Sequence, residues 1–93
     1  MSGPKVLYKI QVTGRVQGVG FRQSCLREAR YRGLCGFVKN MPDGRVYVEA
    51  EGNSEQLEEF VNWCRRGPVF GSVNDISIEK CKSVNHSTFI IRY

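Results

Sequence analysis

Ninety-three residues, 41% hydrophobic and 25% charged, are enough for one globular domain spanning 1–93 and too few for a second module or a large cofactor. Fourteen Lys and Arg against nine Asp and Glu give a net charge of +5, which favours an anionic partner without saying which.

At the N-terminus, Met1-Ser2-Gly3-Pro4-Lys5 is unlike a signal peptide, and no apolar run approaches the ~20 residues of a membrane span. The expectation is a cytoplasmic monomer with no membrane contact. Cys25, Cys35, Cys64 and Cys81 are widely spaced and contain no C-x-x-C pair, and His86 is the sole histidine. A zinc site draws four ligands in close pairs, so no metal is expected. The cysteines read as free thiols in a reducing cytosol; a disulfide stays open only for an oxidising compartment.

From Lys5 to Thr13 the residues alternate, with Val6, Tyr8, Ile10 and Val12 on one face and Lys9, Gln11 and Thr13 on the other. That is a half-buried strand. Gly14-Arg15-Val16-Gln17-Gly18-Val19-Gly20 follows, a glycine-rich segment expected to be irregular. A helix is predicted from Phe21 to Arg32, since Phe21, Cys25, Leu26 and Ala29 form a stripe and Gly33 suits the position just past its end.

Cys35 to Asn40 and Arg45 to Glu51 read as two strands joined by the turn Met41-Pro42-Asp43-Gly44. Asn53 with Gln56 signals a second helix start, Leu57, Phe60, Val61 and Cys64 give its stripe, and Gly67-Pro68 stop it. Strands are predicted at Val73 to Cys81 and Thr88 to Tyr93, joined by the polar linker 82–87. His86 reads as part of a solvated turn, and Trp63 and Phe70 as packing on the sheet or a helix end. The order β-α-β-β-α-β plus a terminal strand gives an α+β, ferredoxin-like sandwich, an antiparallel sheet with two helices on one face. Many unrelated functions use that fold.

The chemistry is concentrated between Gly14 and Arg22. A strand ends, the chain turns through glycines, and a helix begins, so unpaired amides face a concavity suited to an anion. Arg22 stands in the first helical turn, where a cation opposes the helix dipole and a bound anion would reverse the sign. A guanidinium also matches two phosphate oxygens at once. On spacing alone, a plain glycine turn with a solvated arginine is the simpler reading. Asn40, likewise, reads on its own as a strand-end residue bonding its turn.

Two stretches together carry more. Val12-Thr13-Gly14-Arg15-Val16-Gln17-Gly18-Val19-Gly20-Phe21-Arg22 resembles the first acylphosphatase signature, and Gly36-Phe37-Val38-Lys39-Asn40 with Gly44, Val46 and Gly52 resembles the second. They stand in the order and at the separation of that family, and the resemblance extends over nearly the whole chain. It implies hydrolysis of acyl phosphates, without a cofactor, to carboxylate and inorganic phosphate, the latter also an inhibitor. It further implies that the amides of Arg15, Val16, Gln17, Gly18, Val19, Gly20 and Phe21 cradle the phosphoryl oxygens, that Arg22 clamps them, and that Asn40 holds the attacking water.

Such chemistry needs little equipment. The leaving carboxylate has a conjugate acid with a pKa of about 4, so it departs without a proton. The transition state spreads charge over three oxygens, which amides and one guanidinium can meet without a metal ion. The rival reading is an RNA-binding sheet, because Gly36-Phe37-Val38 also resembles part of an RNA-recognition motif. That reading needs exposed aromatics for base stacking, and only Phe37 and Tyr47 are candidates, so no nucleic-acid partner is expected.

Overall fold

Period-two alternation in the first strand decides which face of the sheet is buried. The computed structural model describes residues 4–93, and in it β1 runs Val6–Arg15 and turns Tyr8, Ile10 and Val12 into the core. The other elements are α1 (Phe21–Tyr31), β2 (Cys35–Asn40), β3 (Val46–Gly52), α2 (Ser54–Arg66), β4 (Ser72–Lys82) and β5 (Phe89–Ile91). The strands lie in the order β4-β1-β3-β2-β5. Both helices cover the face that carries Ile10, Val12, Val38 and Val48, which is the ferredoxin-like α+β arrangement.

Two strands differ from expectation. β1 does not stop at Thr13: Gly14 and Arg15 stay in the ladder because Val73 and Ser72 of β4 pair with them, after a register shift between Thr13 and Gly14. Asn74 of β4 is the extra residue at this bulge, and the ladder continues past it. β5 pairs parallel with β2, so the sheet is mixed rather than antiparallel. Connectivity causes this. β4 ends beside Val6, at the sheet edge where β1 begins. The linker crosses to the far side along that same edge, so β5 sets out in the direction of β1 and β2.

Lys82, Val84, Asn85 and Ser87 of the linker are exposed, while Ser83 and His86 are held against the sheet. The linker lies across the face opposite the helices, where Ser83 Oγ and the Val84 amide donate to the Glu51 carboxylate at 2.8 and 2.9 Å. Glu51 is only 2% exposed. Burial pushes its carboxyl up, but the Ser83 and Val84 donors outweigh that and hold it below the usual carboxylate range. His86 Nε2 sits 3.1 Å from Glu49 Oε1, against the sheet.

Each helix end is set by local chemistry. After α1, the Leu34 amide bonds Ala29 O at 2.9 Å and the Gly33 amide bonds Arg30 O at 3.1 Å, the pair of bonds that satisfies a helix terminus. The exposed Arg30 donates twice from its guanidinium to Phe89 O and ties β5 to α1. α2 opens with a complete capping box: Asn53 Oδ1 accepts from the Gln56 amide at 2.8 Å, and Gln56 Oε1 accepts from the Asn53 amide. Replacing Asn53 by Ala should cost about 1 kcal/mol. A thermal melt should then show a Tm lower by roughly 4–8 °C, the scale for a domain of this size.

Trp63 of α2 packs on Phe21, the first residue of α1, with ring centroids 5.4 Å apart. Phe70 does not join this packing and is 77% exposed.

Candidate active site

β1 and β2 both run antiparallel to β3, so Arg15 and Asn40 finish at the same edge of the sheet. Alternation along β2 sends Phe37 and Lys39 to the open face and Val38 and Asn40 to the helix face. α1 begins at this edge too, its position fixed by Phe21 buried against Trp63.

The start of α1 is unlike that of α2. Gly20 occupies the N-cap in the left-handed region, with no side-chain cap and no acidic residue in the first turn. The first helical hydrogen bond runs from the Ser24 amide to Gly20 O at 3.0 Å, which leaves the amides of Phe21, Arg22 and Gln23 unpaired within the helix. Among the described residues, no backbone–backbone hydrogen bond uses the amides of Gln17 to Gly20 either. Gly18 and Gly20 adopt φ of +73° and +80°, and a Cβ on either would meet nothing within 4 Å. The concavity over the loop is open, and the glycines are needed for backbone conformation rather than for room.

Val16, 1% exposed, roots the loop in the core, and Val19 packs against the same cluster. Above them lies a cavity of about 90 Å³ lined by Val16, Gly18, Gly20, Phe21, Arg22, Gln23 and Asn40. One water occupies roughly 10–15 Å³ on this measure, so an anion of several atoms fits. Arg22 makes no ion pair among the described residues, and its Cζ lies 5.0 Å from the centre of the Tyr93 ring. Asn40 Oδ1 is buried and has no hydrogen-bond partner. A buried acceptor without a partner costs about 1–3 kcal/mol.

Of the residues singled out from the sequence, Val16, Gly18, Gly20, Phe21, Arg22 and Asn40 therefore share one cavity. Arg15 is drawn into β1 opposite Ser72, and Val19 turns to the core. The Gln17 side chain reaches away to Met41 O and Arg45 O. Gln23 lines the cavity although nothing in the sequence set it apart from other polar helix positions. The hairpin after Asn40 is braced by Asp43, whose carboxylate takes both the Arg45 amide and its guanidinium. The Arg45 guanidinium holds the Asp43 carboxyl below its ordinary range.

The open sheet face offers no stacking platform at Phe37. That ring is 5% exposed, with the Arg92 guanidinium 3.9 Å from its centre and His86 at its edge. Among the described residues, no group of three or more His, Cys, Asp and Glu comes together, and no helix is long and apolar enough to cross a membrane.

The acylphosphatase family profile matches residues 8–91. This chain belongs to the acylphosphatase family. Known acylphosphatases resemble it along nearly their whole length: one from Archaeoglobus fulgidus is 40% identical over 88 residues, covering 95% of this chain and 99% of the relative. One from Bacillus subtilis is 47% identical over 87 residues, covering 92% and 96%. The crystal structure of acylphosphatase from Bacillus subtilis superposes with a TM-score of 0.92 at 46% identity, covering 95% of this chain and 99% of that one. Acylphosphatases are hydrolases, and this chain is one by sequence and by fold.

Proposed function

We propose that this acylphosphatase hydrolyses the carboxyl–phosphate anhydride of small acyl phosphates by positioning alone, with Arg22 and the loop amides from Arg15 to Phe21 on the phosphoryl oxygens and Asn40 on the water. The observation that carries this reading is that Asn40, whose Oδ1 has no hydrogen-bond partner in the protein, lines the same cavity as Arg22 and the loop. A water donating to that oxygen has its lone pair turned toward the cavity. An amide has no useful basicity near neutrality, so Asn40 orients and does not deprotonate.

In the reaction, water oxygen bonds to phosphorus as the bridging P–O bond breaks, and the electron pair leaves on the carboxylate. The carboxylate departs unprotonated. The surplus water proton passes to a phosphoryl oxygen of the substrate, since the cavity wall carries no titratable base. The amides and the guanidinium meet charge developing on the equatorial oxygens, where one preorganised donor is worth roughly 10²–10³ in rate. The same groups would hold inorganic phosphate as product and inhibitor. Four free cysteines, two of them buried, suit a reducing compartment such as the cytoplasm.

The test is hydrolysis of benzoyl phosphate with and without EDTA. Turnover should be steady and unchanged by the chelator. Turnover that disappears with EDTA, or no turnover at all, would remove this reading.

A further inference from the structure

Resting on the function proposed above, we infer that Gln17 is a positioning residue: its carboxamide nitrogen couples the amide loop to the hairpin that carries Asn40 and so fixes anion and water at one separation. The Gln17 Nε2 donates to Met41 O at 2.8 Å and to Arg45 O at 2.9 Å. Both hydrogens of the amide are thereby used, and both go to the mouth of the turn that follows Asn40. The partners are 24 and 28 residues away in the chain, so this is a link between two separate parts of the site.

The loop needs such a link. Val16 and Val19 hold it from below through the core, while Gly18 and Gly20 leave its backbone soft. Toward the hairpin, Gln17 makes the side-chain hydrogen bonds found from residues 16–20 among the described residues. Asn40 is fixed separately, by its pairing with Val46 at the end of β2. Among the described residues, no other hydrogen bond runs from residues 16–20 to the hairpin.

The hairpin, in contrast, does not need Gln17. The Met41 amide already bonds Arg45 O at 2.8 Å, and the Gly44 amide bonds Met41 O at 3.1 Å. Both acceptor carbonyls keep a partner if Gln17 is replaced, so the fold loses little. What is lost is the register between cradle and water. Reacting atoms must approach to ~3–3.5 Å, and a misplacement of ~1 Å can cost about 100-fold in rate.

Two variants separate this role from a merely structural one. Gln17→Met keeps the length and loses the donors. Its kcat on benzoyl phosphate should fall ~10- to 100-fold, while the inhibition constant of inorganic phosphate stays within about threefold because the amides remain. Gln17→Glu keeps the shape but turns an acceptor toward two carbonyls. Its carboxyl can donate one bond again when protonated, and the two facing oxygens raise its pKa above the ordinary ~4.3. The ratio of Gln17→Glu to wild-type kcat should therefore climb as pH is lowered from about 7 to about 5. The same ratio for Gln17→Met should stay flat. Unchanged kcat in Gln17→Met, or a flat ratio for Gln17→Glu, would overturn the coupling while wild-type turnover left the catalytic reading intact. A loss confined to phosphate affinity would also overturn it, by making the Gln17 side chain, beyond its backbone amide, a part of the cradle. No turnover by the wild type would remove the catalytic reading and this inference together.

Discussion

Asn40→Ala should lower kcat for benzoyl phosphate about 100- to 1,000-fold and leave the binding of inorganic phosphate within a few-fold, the range found when one preorganised polar group is removed. The split follows from what Asn40 touches. Asn40 lines the cavity and its Oδ1 has no protein partner, so on the proposed reading its loss affects the water rather than the anion. Arg22 and the loop amides are on other elements and stay in place. A second readout is stability. Asn40 Oδ1 makes no hydrogen bond to the protein, so its removal breaks none of the fold's own side-chain bonds at that atom. The variant should therefore melt within a few degrees of the wild type, on the scale of ~4–8 °C per kcal/mol expected of a small domain. Steady-state kinetics and a thermal melt on the same sample test both halves. A variant that is both inactive and strongly destabilised would assign Asn40 to the scaffold instead.

Arg22→Ala should cut kcat/KM about 1,000-fold and weaken inorganic phosphate about 100-fold or more, because hydrogen bonds to a charged partner contribute roughly 1.5–3 kcal/mol each. Arg22 neutralises no acidic side chain among the described residues, and it stands at the positive end of α1 with no acidic residue in the first turn. Without ligand, that cation is unfavourable by about 0.3–1 kcal/mol, which its contact with Tyr93 offsets, so the empty variant should melt close to the wild type. With phosphate the two should separate: saturating anion raises the wild-type Tm through its preference for the folded state and leaves the variant nearly unmoved. Arg22→Lys should restore only part of the activity, since an ammonium cannot match two oxygens in a plane. Equal phosphate-induced shifts in wild type and Arg22→Ala would place the anion elsewhere.

How much of this was readable beforehand depended on the range of the forces involved. α2 was legible because its signals are local: Asn53 caps Gln56 three residues on, and the apolar stripe repeats within the helix. The loop glycines, Arg22 and Asn40 were legible as types. What joins them was not, since Gln17 finds its acceptors 24 and 28 residues downstream. The end of β1 is hidden for a related reason. Gly14 favours a turn on its own, and only pairing with Val73 keeps it in the ladder. His86 looked like a turn residue because its carboxylate partner, Glu49, lies 37 positions earlier. Phe70 looked like a packing residue because aromatic character says nothing about which loop carries it outward.

The connection between β4 and β5 sets a limit on chain length. These strands occupy opposite margins of five, four spacings apart, a lateral span of ~19 Å at ~4.8 Å per spacing. Seven steps separate Lys82 from Phe89, and a fully stretched chain covers no more than ~3.3–3.6 Å per step, or ~23–25 Å in all. Two deletions would leave the segment short of its destination, and β5 would lose its berth beside β2. Insertions, by contrast, need only bow outward into solvent, at an entropic cost that grows slowly with length.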